Sequence, residues 1–176
     1  MDYLPIFLKL DGRPCAVVGG GEVAARKAGL LLDAGARVTV TAPELCEALA
    51  ALKAAGRIAH RDCVFDAAAL DGATVAIAAT DDRGVNAEVS RLAQERRIPV
   101  NVVDDPELCS FILPAIVDRS PVVVAVSTGG STPVLARLLR SRLETLIPVA
   151  YGELAKLAQR FRDRVKSSLP QPQRRQ

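Results

Sequence analysis

Tryptophan is missing from this chain, and histidine occurs once, at His60. A catalytic triad, a histidine-based zinc site or a histidine proton shuttle would each have to rest on that one residue. Aromatic residues make up only 3% of the sequence, which argues against a binder of single-stranded nucleic acid, since such proteins present stacking platforms. The four cysteines, Cys15, Cys46, Cys63 and Cys109, show no CxxC spacing. They read as reduced core thiols and not as disulfides or zinc ligands. Apolar runs such as Val122–Val126 are far short of a membrane span, and the start, Met1-Asp-Tyr-Leu-Pro5, has neither the basic nor the apolar region of a secretory signal. The expectation is a cytoplasmic chain with no membrane and no nucleic-acid partner.

What is present is enough for a core. The 176 residues are 49% hydrophobic with a net charge of +3 and a mean hydropathy of +0.19. This suits one domain, or one domain with a small appendage, and excludes disorder over most of the length. The charge is uneven. Residues 1–113 hold 12 Lys and Arg against 16 Asp and Glu, a net of −4, whereas residues 114–176 hold 11 against 4, a net of +7. A basic last third suits an anionic partner; a solvated basic face is the plainer alternative.

Strand and helix patterns alternate through residue 113. Cys15–Val18 is a short apolar run entering Gly19-Gly-Gly21, and Ala24, Ala28, Leu31 and Gly35 recur at helical spacing behind it. Arg37–Thr41 is rich in β-branched residues and reads as a second strand. A helix striped by Leu45, Ala48, Leu49 and Leu52 follows and stops at Gly56. Ile58–Arg61 is a weaker strand, Ala73–Thr80 a strong one, and Ile98–Val103 a fifth, with a helix marked by Val85, Val89, Leu92 and Ala93 between the last two. This alternation predicts an α/β fold with a Rossmann-like, doubly wound parallel sheet. The rhythm breaks at Phe111–Val117 and Pro121–Ser127, which are separated by three residues, too few for a crossover helix; they pair as a hairpin or run on into a neighbouring subunit. Helices are expected from Val134 to Leu146 and from Val149 to Lys166, followed by a disordered polar tail. The expected organisation is a dinucleotide-binding domain at 1–113, a small segment at 114–147, a short helical region at 148–167 and the tail at 168–176.

Gly19-Gly-Gly-Glu-Val-Ala24 fits G-x-G-x-x-A between a strand and a helix. Gly19 allows the tight turn, Gly21 lets backbone approach a pyrophosphate, and the helix N-terminus offers free N–H groups to it. The acidic partner that holds ribose hydroxyls is sought about 20 residues on, where Glu44 is the nearest carboxylate. Arg37 lies at the wrong end of its strand to clamp a 2′-phosphate, so NAD is favoured over NADP. Thr80 and Asp81 end the fourth strand at the ligand-binding edge, although Asp81 or Asp82 could equally cap the next helix. Asp104 and Asp105 end the fifth strand, where Asp-Pro is also ordinary turn chemistry. His60 reads as a half-exposed structural residue. Ser127, Thr128, Gly129 and Gly130 form an anion-binding type of turn ahead of a helix carrying Arg137 and Arg140, residues suited to carboxylates or phosphates.

Taken together, Val18–Lys27, Ala76–Asp82, Asn101–Asp104 with Cys109–Ile112, Asp118–Pro121 and Gly129–Arg140 resemble the sirohaem-synthase family, in its precorrin-2 dehydrogenase and ferrochelatase module, over roughly residues 1–166. The resemblance implies NAD-dependent oxidation of precorrin-2 to sirohydrochlorin, followed by insertion of Fe2+ as substrate. It also implies a homodimer, with the dimerisation region at 114–147. By position it implies that Glu22, Val23, Pro43 and Glu44 contact NAD and that Asp104 is the essential aspartate. No protein metal site is expected, because the macrocycle's own nitrogens become the ligands of the iron. The methyltransferase module of the fused enzyme has no counterpart in these residues, and docking of a separate uroporphyrinogen methyltransferase is left open as a partner. Two other readings stay open: a dehydrogenase without chelatase activity, and a non-catalytic NAD-sensing module with a basic docking surface.

Overall fold

The computed structural model describes residues 1–168. Five strands, β1 (Pro14–Val18), β2 (Arg37–Thr41), β3 (Ile58–Arg61), β4 (Val75–Ala78) and β5 (Val100–Val102), form one parallel sheet. Their order is β3-β2-β1-β4-β5, so the chain winds outward one way from β1 and then the other way from β4, as the doubly wound reading requires. Helices α1 (Glu22–Asp33), α2 (Glu47–Ala54) and α3 (Arg83–Glu95) make three of the four crossovers, and β3 reaches β4 through the short 3-10 turn Ala67–Leu70.

The register explains the core. Val17 sits between Val40 and Ile77 on one face, while Ala16 and Val18 lie on the other with Ala76, Ala78, Val100 and Val102. That second face is small in its central strands, which lets α3 approach through Val89 and Ala93, and Leu70 fills the remaining space. The α1 side chains Ala24, Ala25, Ala28 and Leu31 are buried, and α2 contributes Leu49. Strands covered on both faces read as unbroken apolar runs, which is why β4 stands out in the sequence.

Two expected strands are shorter than their apolar runs. Residues 73–74 and 79–80 flank β4, and 98–99 and 103 flank β5; all are half-buried and lie outside the strands. Apolar character marks burial and not ladder pairing, so it overruns strand ends. Two short 3-10 turns, Ala67–Leu70 and Pro106–Leu108, had no sequence expectation.

A second compact unit begins at Leu113. Strands β6 (Ala115–Arg119) and β7 (Val122–Val126) pair antiparallel as a hairpin, closed by the Asp118 carboxylate, which accepts from Ser120 N–H at 2.8 Å and Ser120 Oγ–H at 2.6 Å. Helices α4 (Pro133–Leu146) and α5 (Ala150–Ser168) follow, and Arg119 Nε donates to the Ile147 carbonyl at the end of α4 at 3.0 Å. The tail expected from 168 lies, from 169 onward, outside the described residues. No helix among the described residues is long and apolar enough to cross a membrane.

Candidate functional site: a cleft at the strand carboxyl ends

The order of the sheet reverses between β1 and β4, and ligands of open α/β sheets bind at that point, beyond the carboxyl ends of the strands. A cleft of about 1100 Å³ opens there in the first unit. Its lining brings together Gly19, Gly21, Glu22 and Val23 from the β1–α1 turn, Pro43 and Glu44 after β2, Thr80 and Asp81 after β4, and Asp104 after β5. Ser127, Thr128, Gly129, Gly130, Arg137 and Arg140 lie in the second unit.

The glycine loop shows two kinds of glycine. At Gly19, φ is +126°, and a Cβ would run into the Ala79 backbone. Gly20 is crowded in the same way by the Glu44 carbonyl, and its own carbonyl accepts from Cys46 N–H at 2.7 Å. These two are demanded by the fold. Gly21 is not: its φ is −86°, and a Cβ there would meet nothing within 4 Å. Gly21 caps α1 with no side-chain hydrogen bond, leaving the first-turn N–H groups of the helix turned to the cleft. A bare helix N-terminus behind a side-chain-free approach is the cradle that a dinucleotide diphosphate needs.

The opposite rim is built by polar clamps. Asn86, buried on α3, accepts from Thr80 N–H at 3.3 Å and Thr80 Oγ–H at 2.8 Å, and its Nδ2 donates to the Thr80 carbonyl at 2.9 Å. Asp82 is the cap of α3, accepting from Gly84 and Val85 N–H at 2.7 and 3.1 Å. That resolves the alternative left open for Asp81, whose exposed carboxylate lines the cleft instead. Asn86 was missed; a polar residue in line with the core-facing Val89 and Ala93 was the available signal.

His60 is half-buried and spoken for. Lys53 Nζ donates to Nδ1 at 2.9 Å, so Nε2 carries the proton and donates to the Ala42 carbonyl at 2.9 Å. It steadies the loop that presents Pro43 and Glu44.

Asp104 has φ +58°, an unusual and costly backbone for a residue other than glycine, of the kind that gathers at functional sites. Its carboxylate is exposed, and the neighbouring Asp105 pairs with Arg83 at 3.4 Å. Lys27, half-buried on α1, lies within its field. Burial lowers the Lys27 pKa from its ordinary value and Arg26 lowers it further, while Asp104 pulls it back up. Lys27 is not among the residues lining the cleft, and its charge acts on Asp104 from the α1 side.

In the second unit the turn before α4 holds itself together: Ser127 Oγ accepts from Gly129 N–H at 3.0 Å and Thr128 Oγ1 from Thr132 N–H at 3.2 Å. Arg140 pairs with Glu144 at 3.6 Å, and Arg137 is exposed. Among the described residues no group of three or more His, Cys, Asp or Glu is placed to hold a metal ion.

Sheet order, glycine loop and open helix N-terminus define a Rossmann-type dinucleotide-binding unit. Residues 6–115 match the model of a family described as "Putative NAD(P)-binding", and the chain belongs to that family. Residues 150–176 match the sirohaem synthase dimerisation region, C-terminal to the 114–147 segment that the resemblance assigned to that role. The chain is 62% identical over 175 residues to a siroheme synthase of Methylobacillus flagellatus and 59% identical over 175 residues to one of Methylococcus capsulatus. Each match covers 99% of this chain but only 38% and 37% of the relative. Among solved structures, SirC, a precorrin-2 dehydrogenase, superposes with a TM-score of 0.80 at 23% identity, covering 98% of this chain and 85% of that one. At that identity the match speaks for the fold.

Proposed function

We propose that this chain oxidises precorrin-2 to sirohydrochlorin with NAD+, and then inserts ferrous iron to give sirohaem, acting as a homodimer in the cytoplasm. The observation that carries the reading is the meeting, in one cleft, of an uncapped glycine-loop helix and the strained Asp104. The siroheme synthase relatives matched along the chain's length supply the substrate class, the dimerisation-region match supports self-association, and free cysteines suit a reducing compartment.

NAD+, when bound, supplies the hydride acceptor. The N–H groups of α1 hold its diphosphate, and Glu44 accepts from the ribose hydroxyls while disfavouring a 2′-phosphate. Removal of a hydride from precorrin-2 also releases a proton, and Asp104 takes it as general base. For iron insertion the macrocycle's nitrogens lose two protons and become the ligands of Fe2+, and the exposed Asp104 carboxylate takes these protons one at a time, releasing each to solvent before the next. In the second unit, Ser127, Thr128, Gly129 and Gly130 with Arg137 and Arg140 are the proposed anchors for the substrate's carboxylates.

The test is anaerobic. The protein is mixed with enzymatically generated precorrin-2 and NAD+, the absorption spectrum is followed, and Fe2+ is then added. Sirohydrochlorin appearing only with NAD+ is the expected result, with sirohaem then forming faster than in protein-free controls. Asp104→Asn should lower the oxidation rate by about 100-fold and leave NAD+ affinity unchanged. A folded wild type that gives no NAD+-dependent change defeats the reading and leaves a binding module.

A further inference from the structure

The loop that presents Asp104 is tied by backbone before and after it, with Val103 N–H donating to the Ala78 carbonyl at 2.9 Å and Cys109 N–H to the Pro106 carbonyl at 3.1 Å, but the turn around Asp104 itself is not. The bond that closes it, from Asp105 N–H to the Val102 carbonyl, is stretched to 3.5 Å, too long to keep a left-handed aspartate at a fixed angle. Side chains outside the cleft lining do the holding. Cys109 Sγ accepts from Val102 N–H at 3.1 Å and lies 3.2 Å and 3.3 Å from the carbonyls of Val102 and Asp105, one on each side of Asp104. Burial pushes the Cys109 thiol above its ordinary pKa, so it keeps the proton it donates. Behind it, fully buried Ser90 on α3 donates from Oγ to the Leu108 carbonyl at 2.6 Å and accepts from Gln94 Nε2 at 2.8 Å. Buried Asn101 on β5 donates from Nδ2 to the Phe111 carbonyl at 3.1 Å and to Cys109 Sγ at 3.5 Å.

We propose that Cys109, backed by Ser90 and Asn101, is a positioning residue for Asp104: a latch joining β5, α3 and the loop, which holds the carboxylate at the angle the reaction uses. A thiol bridging Val102 and Asp105 restrains both ends of the segment whose backbone is strained. Cys109 is not among the residues lining the cleft, and its polar contacts are to backbone and to Asn101, so it acts on the site through the loop. The inference rests on the assignment of Asp104 as the base.

The experiment compares wild type, Cys109→Ala and Cys109→Ser in the full chain. It measures kcat with precorrin-2, KM and affinity for NAD+, and amide hydrogen exchange over residues 99–111. Cys109→Ala should lower kcat by about tenfold, on the scale of a sub-ångström misplacement, with NAD+ affinity within about twofold. The amides of Asp104 and Asp105 should exchange about tenfold faster, and Cys109→Ser, which restores a donor and acceptor of shorter reach, should recover part of both. If the alanine chain fails to fold, Cys109→Ser and Ser90→Ala are read by the same measures, with smaller losses expected. Wild-type kcat in Cys109→Ala overturns the inference, and so does a loss in which NAD+ affinity falls in step with kcat. Inactivity of the wild type overturns the functional reading itself, a different result from an active wild type whose variants are unaffected.

Discussion

The two units of this chain place their apolar residues in opposite ways. In Met1–Ile112 the strands and helices close over a continuous core, with Val17, Val40, Ile77 and Val89 fully buried. From Leu113 on, among the described residues, only Val117 and Ala136 join the buried hydrophobics, while Leu138, Leu146, Leu154 and Phe161 are each about half exposed or more. On α5 the exposed apolar positions Tyr151, Leu154, Leu157, Phe161 and Val165 recur at helical spacing along one stripe. A monomeric protein seldom leaves such a stripe uncovered, and the dimerisation-region match lies over the same helix. The first unit thus buries most of its apolar side chains in its own core, the exposed Leu4, Ile6, Phe7 and Val64 aside, whereas the second leaves most of its larger ones on the surface. The charge follows the same division, acidic before residue 114 and basic after it.

If that contrast is right, damage to the first unit should be damage to folding. Gly19→Val puts a branched side chain at φ +126° against the Ala79 carbonyl. We expect a loss of about 3 kcal/mol or more in stability, seen as a lower melting temperature, together with loss of NAD+ binding. A variant that melts with the wild type would show that the close approach is not what the fold requires.

Damage to the second unit should be damage to assembly. Leu154→Glu combined with Phe161→Glu places two charges on the α5 stripe. Buried interface anchors cost about 2 kcal/mol each when lost, so self-association should weaken by about 1000-fold. NAD+ affinity of the first unit should move by less than about twofold. Sedimentation and NAD+ titration on the same sample decide it; an unchanged assembly would mean that the stripe is covered by something other than a second copy.

A finer version of the comparison lies within the glycine loop, between a glycine kept by the fold and one kept free for a ligand. Gly21→Ala adds a methyl group into open space at an ordinary φ. Its melting temperature without cofactor should stay within about 1 °C of wild type, while NAD+ affinity falls by about tenfold as the methyl group meets the approaching diphosphate. Equal losses in both would make Gly21 a structural residue.

These contrasts mark how far sequence reading reached. The sheet, its helices and the glycine loop were legible because continuous apolar runs and helical spacing report burial directly. The strand ends were not, since half-buried Ala73, Ala79 and Val103 continue the apolar pattern after pairing has stopped. Asp104 could be nominated from its place after the fifth strand, but its left-handed backbone could not be foreseen. Asp-Asp-Pro is common turn chemistry, and the side chain that meets the carbonyls on either side of Asp104 is Cys109, whose own segment is tied to Ser90 and Asn101 in other elements. Asn86 went unread for a similar reason: a polar residue in a core-facing stripe looks like a defect until its partner, the Thr80 backbone, is brought beside it.

The smallest expected effect concerns the cofactor's phosphate. Glu44 follows β2 on the cleft rim, and its backbone is packed on Gly20, so its position is fixed even though its side chain is exposed. Arg37 opens β2 at the far end of the strand, and the nearby Arg61 is taken by Asp66 at 2.9 Å. A 2′-phosphate would therefore meet a carboxylate with no free cation from these two residues to balance it. Glu44→Gln keeps a hydrogen-bond acceptor for the ribose and removes the charge. NAD+ affinity should fall by about threefold and NADP+ affinity should rise, shifting their ratio by about tenfold, with NADP+ still the weaker ligand. Wild-type protein that binds both cofactors equally would move the ribose away from Glu44 and leave the rim after β2 without the role assigned to it.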